Sequence, residues 1–249
     1  MIKKLIKKIL PNFFIEFVKK FLVEKVLNEI KSDFKNINHN SSINMISELC
    51  EKYGSDKGFI NHDNKKPYNW RPHTYASYYY SIFNLSKENI KLVFECGLGT
   101  NNPKFESNMT SRGVPGASLR VWRDYFLNAD IYGGDIDKNI LFEENRIKTF
   151  FVDQLDTNSI KSMWDQIKVE NFDIIIDDGL HDPQANLNFF FNSFHKLKKN
   201  GVFIIEDVSF KNINILKTKL TNYDIDVVTL SSKYKKYYLD NNLIVIRKS

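Results

Sequence analysis

The sequence predicts an α/β domain: a seven-stranded, mostly parallel sheet with helices on both faces, an antiparallel strand at one edge and a helical extension at the N-terminus. Three observations predict it. From Lys91 onward, short apolar runs alternate with segments whose apolar residues recur three and four apart, the rhythm of strand and crossover helix. Two of those runs stop abruptly in acidic pairs, Asp177-Asp178 and Glu206-Asp207, as buried parallel strands do when their C-terminal tips reach a sheet rim. The tail carries two further apolar runs joined by a polar stretch, which reads as an antiparallel pair.

The elements follow in order. Residues 1–48 form an amphipathic helical extension: Ile2, Leu5, Ile6 and Ile9 alternate with Lys3, Lys4, Lys7 and Lys8 until Pro11 interrupts, and Phe14, Phe17, Val18, Phe21, Leu22, Val26 and Ile30 make a second stripe. Such stripes usually face protein, so packing on the domain or a seam between copies in a homo-oligomer is the preferred reading; peripheral contact of residues 1–35 with a membrane surface is the alternative. Residues 49–90 are a helical lid or substrate region, and residues 91–249 the main domain. Within that domain, strands are expected at Leu92–Cys96, Ile131–Gly133, Thr149–Val152, Phe172–Ile176 and Val202–Ile205, with helices at Ser118–Phe126, Ser159–Ile167 and Gln184–Leu197. The tail strands are Ile225–Leu230 and Leu243–Ile246.

Composition narrows the function classes. At 249 residues and 42% apolar, the chain can bury one substantial core. Two cysteines, Cys50 and Cys96, cannot make a disulfide framework, and a reducing cytoplasm is the expected setting. No run approaches the ~18 apolar residues of a membrane span. The net charge of +6 is spread among many asparagines rather than gathered into a basic module, so a nucleic-acid partner is not expected.

The chemistry concentrates at the strand tips. Open α/β sheets bind ligands at that rim. Three or four carboxylates with His181 beside them repel one another unless a cation intervenes, and a hard, oxygen-preferring divalent metal suits that donor set. At the first strand, Glu95-Cys96-Gly97-Leu98-Gly99 supplies two glycines where backbone passes close to a ligand. Asp135, ending the second strand, is placed to accept from a ribose diol, and Asp153 after the third from an adenine amino group. The third glycine of a dinucleotide fingerprint is missing, and the loop Thr100–Gly116 is long and rich in Asn, Pro, Ser and Gly. That disfavours a nicotinamide cofactor and suits a ligand without phosphates, such as S-adenosylmethionine.

These motifs together resemble class I S-adenosylmethionine-dependent methyltransferases, whose sheet is Rossmann-like. Within that class, Asp178-Gly179-Leu180-His181 followed by Glu206-Asp207 resembles the metal-dependent sugar O-methyltransferases of mycinamicin-type macrolides, as do Thr100–Pro103, Pro115–Leu119 and Trp122-Arg123. The similarity runs roughly from Tyr53 to Val208. It implies a Mg²⁺ or similar ion held by Asp178, Glu206 and Asp207, with His181 as catalytic base, and cofactor contacts from Glu95, Gly97, Gly99, Thr100, Ser118, Asp135, Asp153 and Asp177. It also places Tyr53, Lys57, His73 and Tyr75 near the site as candidate substrate-lining residues. The acceptor it implies is a sugar hydroxyl. The preferred setting is a nucleotide-activated sugar or glycan of bacterial capsular polysaccharide, with a phosphoramidate-type capsule substituent or, less favoured, nucleic acid as alternatives.

Duller roles compete. Asp177 suits a helix cap or a loop-ordering role, Asp207 a cap for a helix near Ser209, and His73 and His195 ordinary structural positions. A non-catalytic scaffold that retains the cofactor fold is the other class, with the N-terminal helices as its working surface.

Overall fold

The computed structural model describes residues 43–58, 68, 70, 72–230 and 240–249. The amphipathic stripes expected in residues 1–35, and with them the membrane and oligomer readings, lie outside the described residues.

Six helices are described: α1 (Met45–Tyr53), α2 (Tyr75–Phe83), α3 (Ala117–Tyr125), α4 (Thr157–Ile167), α5 (Pro183–Ser193) and α6 (Phe210–Lys219). Eight strands accompany them: β1 (Leu92–Cys96), β2 (Asp130–Asp135), β3 (Glu143–Glu144), β4 (Ile147–Phe151), β5 (Phe172–Asp177), β6 (Leu197–Ile205), β7 (Asp224–Thr229) and β8 (Asn242–Arg247). They form one sheet in the order β3-β4-β2-β1-β5-β6-β8-β7. The five central strands are parallel, while β3 pairs antiparallel with β4, and β8 antiparallel with both β6 and β7. The chain winds outward from β1 through β2 to β4, then returns to the other side of β1 for β5 and β6. That reversal opens a crevice at the carboxyl ends of β1 and β5.

The seventh-strand expectation is one short. β3 has only two residues, both exposed glutamates, and its pairing through Glu143 and Glu144 leaves no hydrophobic signature to read. The helix expected to run to Leu197 ends at Ser193, and a 3-10 turn over Phe194–Lys196 leads directly into β6. His195 therefore sits in that turn rather than mid-helix. β6 starts five residues before the expected Val202 because Leu197 pairs with Phe172 ahead of a register shift, across the polar, exposed Lys199 and Asn200. The segment boundary expected after residue 48 falls inside α1.

Strand alternation divides the core into two layers. Val93, Ile174, Ile176 and Ile204 meet α1, α2 and α3 through Tyr75, Tyr79, Trp122 and Phe126. Phe94, Ile175, Phe203 and Ile205 meet α4, α5 and α6 through Trp164, Phe189, Phe190 and Ile213. Helix starts carry recognisable caps: Asn44 and Ser47 exchange reciprocal hydrogen bonds at α1, and Asp182 caps α5 ahead of Pro183.

Candidate functional site

The site is assembled where β1, β5 and β6 end side by side. Asp178 N donates to the Cys96 carbonyl at 2.8 Å and Glu206 N to the Asp177 carbonyl at 2.9 Å, so the ladder continues past the strand ends and fixes the acidic tips as neighbours. By alternation, Glu95, Asp178 and Glu206 belong to the α1–α3 face, the face of Val93, Ile176 and Ile204.

Lys57, in the loop after α1, reaches into this group. Its ammonium lies 2.6 Å from Asp178 Oδ2, 2.5 Å from Glu206 Oε2 and 3.6 Å from Glu95 Oε1. Glu206 accepts a further hydrogen bond from the Tyr79 hydroxyl, and Glu95 accepts from Ser118 and Trp122. Asp178 and Glu206 thus share one cation, a lysine. Burial works against the ammonium, but Asp178, Glu206 and Glu95 outweigh it and hold Lys57 above the usual lysine range. Burial, reinforced by Asp178 and Glu95, pushes Glu206 above the usual carboxylate range against the pull of Lys57.

On the cavity side, His181 bridges two aspartates: Nε2 lies 3.2 Å from Asp178 Oδ1 and Nδ1 3.5 Å from Asp207 Oδ2. Asp207 also accepts from the Tyr75 hydroxyl at 2.5 Å, with His73 Nε2 at 3.4 Å. His181 and Asp207 both adopt left-handed backbone, at φ 59° and 53°. Non-glycine residues hold such conformations at a cost of about 1 kcal/mol or more, and they gather at working sites. Burial alone would depress the imidazole, yet Asp207 and Asp178 raise it to about 10, so His181 carries a proton at neutral pH. Burial likewise opposes ionisation of Asp178, but Lys57 and His181 hold it below the usual carboxylate range. One donor atom each from Asp178, His181 and Asp207 lies within 4.8 Å of the others, so of the three expected ligands Asp178 and Asp207 come together as hard oxygen donors that fit a divalent cation, while Glu206 Oε2 is engaged by Lys57.

The acidic cluster, the β1 loop and the ends of β2 and β4 line one cavity of about 630 Å³. Gly97, Gly99, Thr100, Ser118, Asp135 and Asp153 all line it, as do Lys57, His73 and Tyr75. The close backbone approaches at the glycines are made by the chain itself: a Cβ on Gly97 would meet Asp178 O at 2.0 Å, and one on Gly99 would meet Met109 Sδ at 2.0 Å. Asp135 accepts from Leu98 N at 2.7 Å and Asp137 N at 2.8 Å, pinning the β1 loop to the end of β2. Three named residues stand off the cavity wall. Glu95 is buried behind it, Tyr53 hydrogen-bonds Asp124 on α3, and Asp177 lies on the opposite sheet face, accepting from Gln154 Nε2 at 2.6 Å and Asn186 Nδ2 at 2.9 Å.

Neither competing capping role is taken up, since Asp182 caps α5 and Ser209 precedes α6. Asp177 instead orders the loop through Gly179 N at 3.3 Å. Sequence reasoning missed Tyr79, Gln154, Asn186 and Met109. Tyr79 had a signal, because Tyr75 and Tyr79 are four apart and share a helical face. The other three meet the site only through long-range packing.

No family model matches the chain. It is 29% identical over 163 residues to an 8-demethyl-8-alpha-L-rhamnosyl tetracenomycin-C 2'-O-methyltransferase of Streptomyces olivaceus, covering 66% of this chain and 37% of that protein. It is also 29% identical over 167 residues to the mycinamicin VI 2''-O-methyltransferase of Micromonospora griseorubida, covering 66% of this chain and 36% of that one. Among solved structures, the MycE methyltransferase of mycinamycin biosynthesis, in complex with Mg and SAH, superposes with a TM-score of 0.57 at 23% identity, over 84% of this chain and 56% of that one. The fold is the one that MycE has. The chain resembles the mycinamicin and tetracenomycin sugar O-methyltransferases over two thirds of its length, and it spans just over a third of the length of those curated relatives.

Proposed function

We propose that this chain is an S-adenosylmethionine-dependent, divalent-metal-dependent O-methyltransferase acting on a sugar hydroxyl. The observation that carries the reading is that the β1 glycine loop with Asp135 and the cluster of Asp178, His181 and Asp207 line one and the same cavity, with Gly97 directly beside Asp178. A cofactor at the glycine loop and an acceptor at the acidic cluster would be held within reach of each other, which is the main demand of a direct displacement.

The sulfonium supplies an activated methyl group, so no covalent enzyme intermediate is required. Asp135 and Asp153 are the acceptors for the ribose and adenine groups of that cofactor. Asp178, Glu206 and Asp207 would hold the ion, whose charge favours ionisation of a nearby hydroxyl. Tyr75 and His73 fix the orientation of Asp207, and Lys57 and Tyr79 fix that of Glu206. With Asp178 and Asp207 engaged by the ion, His181 would release its own proton to solvent and, as the neutral imidazole, could take the acceptor proton.

The acceptor is a small glycosylated molecule or activated sugar. The relatives named above are methyltransferases of a rhamnosyl tetracenomycin-C and of mycinamicin VI; a nucleotide-activated sugar, a capsular glycan and a phosphoramidate-type capsule substituent are the other acceptors consistent with the reading. The test is purified protein with methyl-labelled S-adenosylmethionine and a panel of these acceptors, with and without EDTA. Label should enter a sugar hydroxyl and stop doing so under chelation; transfer indifferent to EDTA would remove the metal from the proposal.

A further inference from the structure

Lys57 takes no proton or methyl group in the transfer chemistry, yet it is nine-tenths buried or more and sits at the centre of the acids, its side chain 3% exposed. Its ammonium occupies the point equidistant from Asp178 and Glu206, where a cation shared by those two carboxylates has to lie. A third carboxylate, Glu95, stands 3.6 Å away on the side remote from the cavity, and Ser118 and Trp122 hold it in place. A lysine and a divalent ion cannot both sit between Asp178 and Glu206, because like charges at such separation repel strongly.

We propose that Lys57 is a built-in counter-cation that holds Asp178 and Glu206 together in the metal-free protein and withdraws toward Glu95 when a divalent ion enters. This inference rests on the metal reading of the site. It makes Lys57 a positioning residue that serves two ends. It keeps a cluster of buried acids from repelling one another during folding, and it sets the affinity for the ion by competing with it. The flexible four-carbon stem and compact ammonium of lysine suit such a shift, whereas a guanidinium would be fixed by its planar fork.

The test is calorimetric titration of the full chain with Mg²⁺ or Mn²⁺ alone, without cofactor or acceptor. Lys57→Met should bind the ion roughly tenfold more tightly than the parent, since the competitor is gone. It should also unfold at lower temperature than the parent when metal-free. Because that variant can fail to fold, the parent protein labelled with ¹⁵N-lysine gives a second readout. The Lys57 Nζ resonance, assigned by its loss in Lys57→Arg, should shift as Mg²⁺ is added. Weaker binding by Lys57→Met, or an Nζ signal unmoved at metal saturation, overturns the exchange while leaving the metal site standing. Absence of ion binding in the parent, checked again with S-adenosylmethionine present, overturns both.

Discussion

Asp177 and Asp178 are consecutive and chemically identical where one strand ends, yet the first is buried, the second is partly exposed, and they have opposite surroundings. Asp177 turns toward α4 and α5 and is enclosed by neutral donors, the Gln154 and Asn186 amides and Gly179 N. Asp178 turns toward α1 and α2 and meets ionic partners, Lys57 and His181, at the edge of the cavity. Burial raises Asp177 above the usual carboxylate range despite its amide donors, whereas Lys57 and His181 outweigh burial at Asp178 and depress it. The difference teaches that the two-residue period of a strand is enough to sort a structural carboxylate from a chemical one. A neutral cage fastens a loop; a charged one leaves an anion available to a cation.

Substitutions on either side of that divide test it. The largest effect belongs to Asp178→Asn, expected to lower methyl transfer roughly 1,000-fold in the labelled-cofactor assay while the protein still folds; a loss under tenfold would erase the distinction. His181→Ala should cost about 100-fold in turnover with cofactor affinity kept, and unchanged turnover would remove it as the base. Asp177→Asn keeps the shape but sets an amide donor against Gln154 or Asn186. It should lower unfolding stability by about 1–3 kcal/mol in urea titration, with turnover retained to within roughly tenfold. A turnover loss matching that of Asp178→Asn would show that the two carboxylates are not separable.

The last test concerns pH dependence and leaves turnover aside. His181 is raised in the folded protein to about 10 from 6.5, so its contribution to stability is complete below pH 6.5 and is lost as pH rises toward 10. Metal-free protein should therefore melt at progressively lower temperature across that window, and His181→Ala should flatten the slope. A variant that keeps the full slope would assign it to other groups.

Much of the architecture was legible because it is written in local periodicity. β1 begins and ends where the apolar run Leu92–Cys96 does, and the antiparallel tail pair lies where two apolar runs flank a polar stretch. Where local pattern was absent the reading failed: β3 has no apolar residue, and in β6 the polar Lys198–Asn200 stretch separates the buried Leu197 from the apolar run that follows. The acidic tips were legible for the same reason as the strands, since a carboxylate pair closing an apolar run can only stand at a rim.

By itself the sequence determined which residues lie at strand tips, because chain connectivity and the two-residue period need no knowledge of distant partners. Only the tertiary structure decided what each tip residue faces. That Lys57 reaches Glu206 across 149 positions, that Tyr79 and Tyr75 divide Glu206 and Asp207 between them, and that Asp177 is caged by amides from two other segments all depend on long-range packing. Charge environments are sums over groups brought together in space, and a one-dimensional pattern carries no record of those distances.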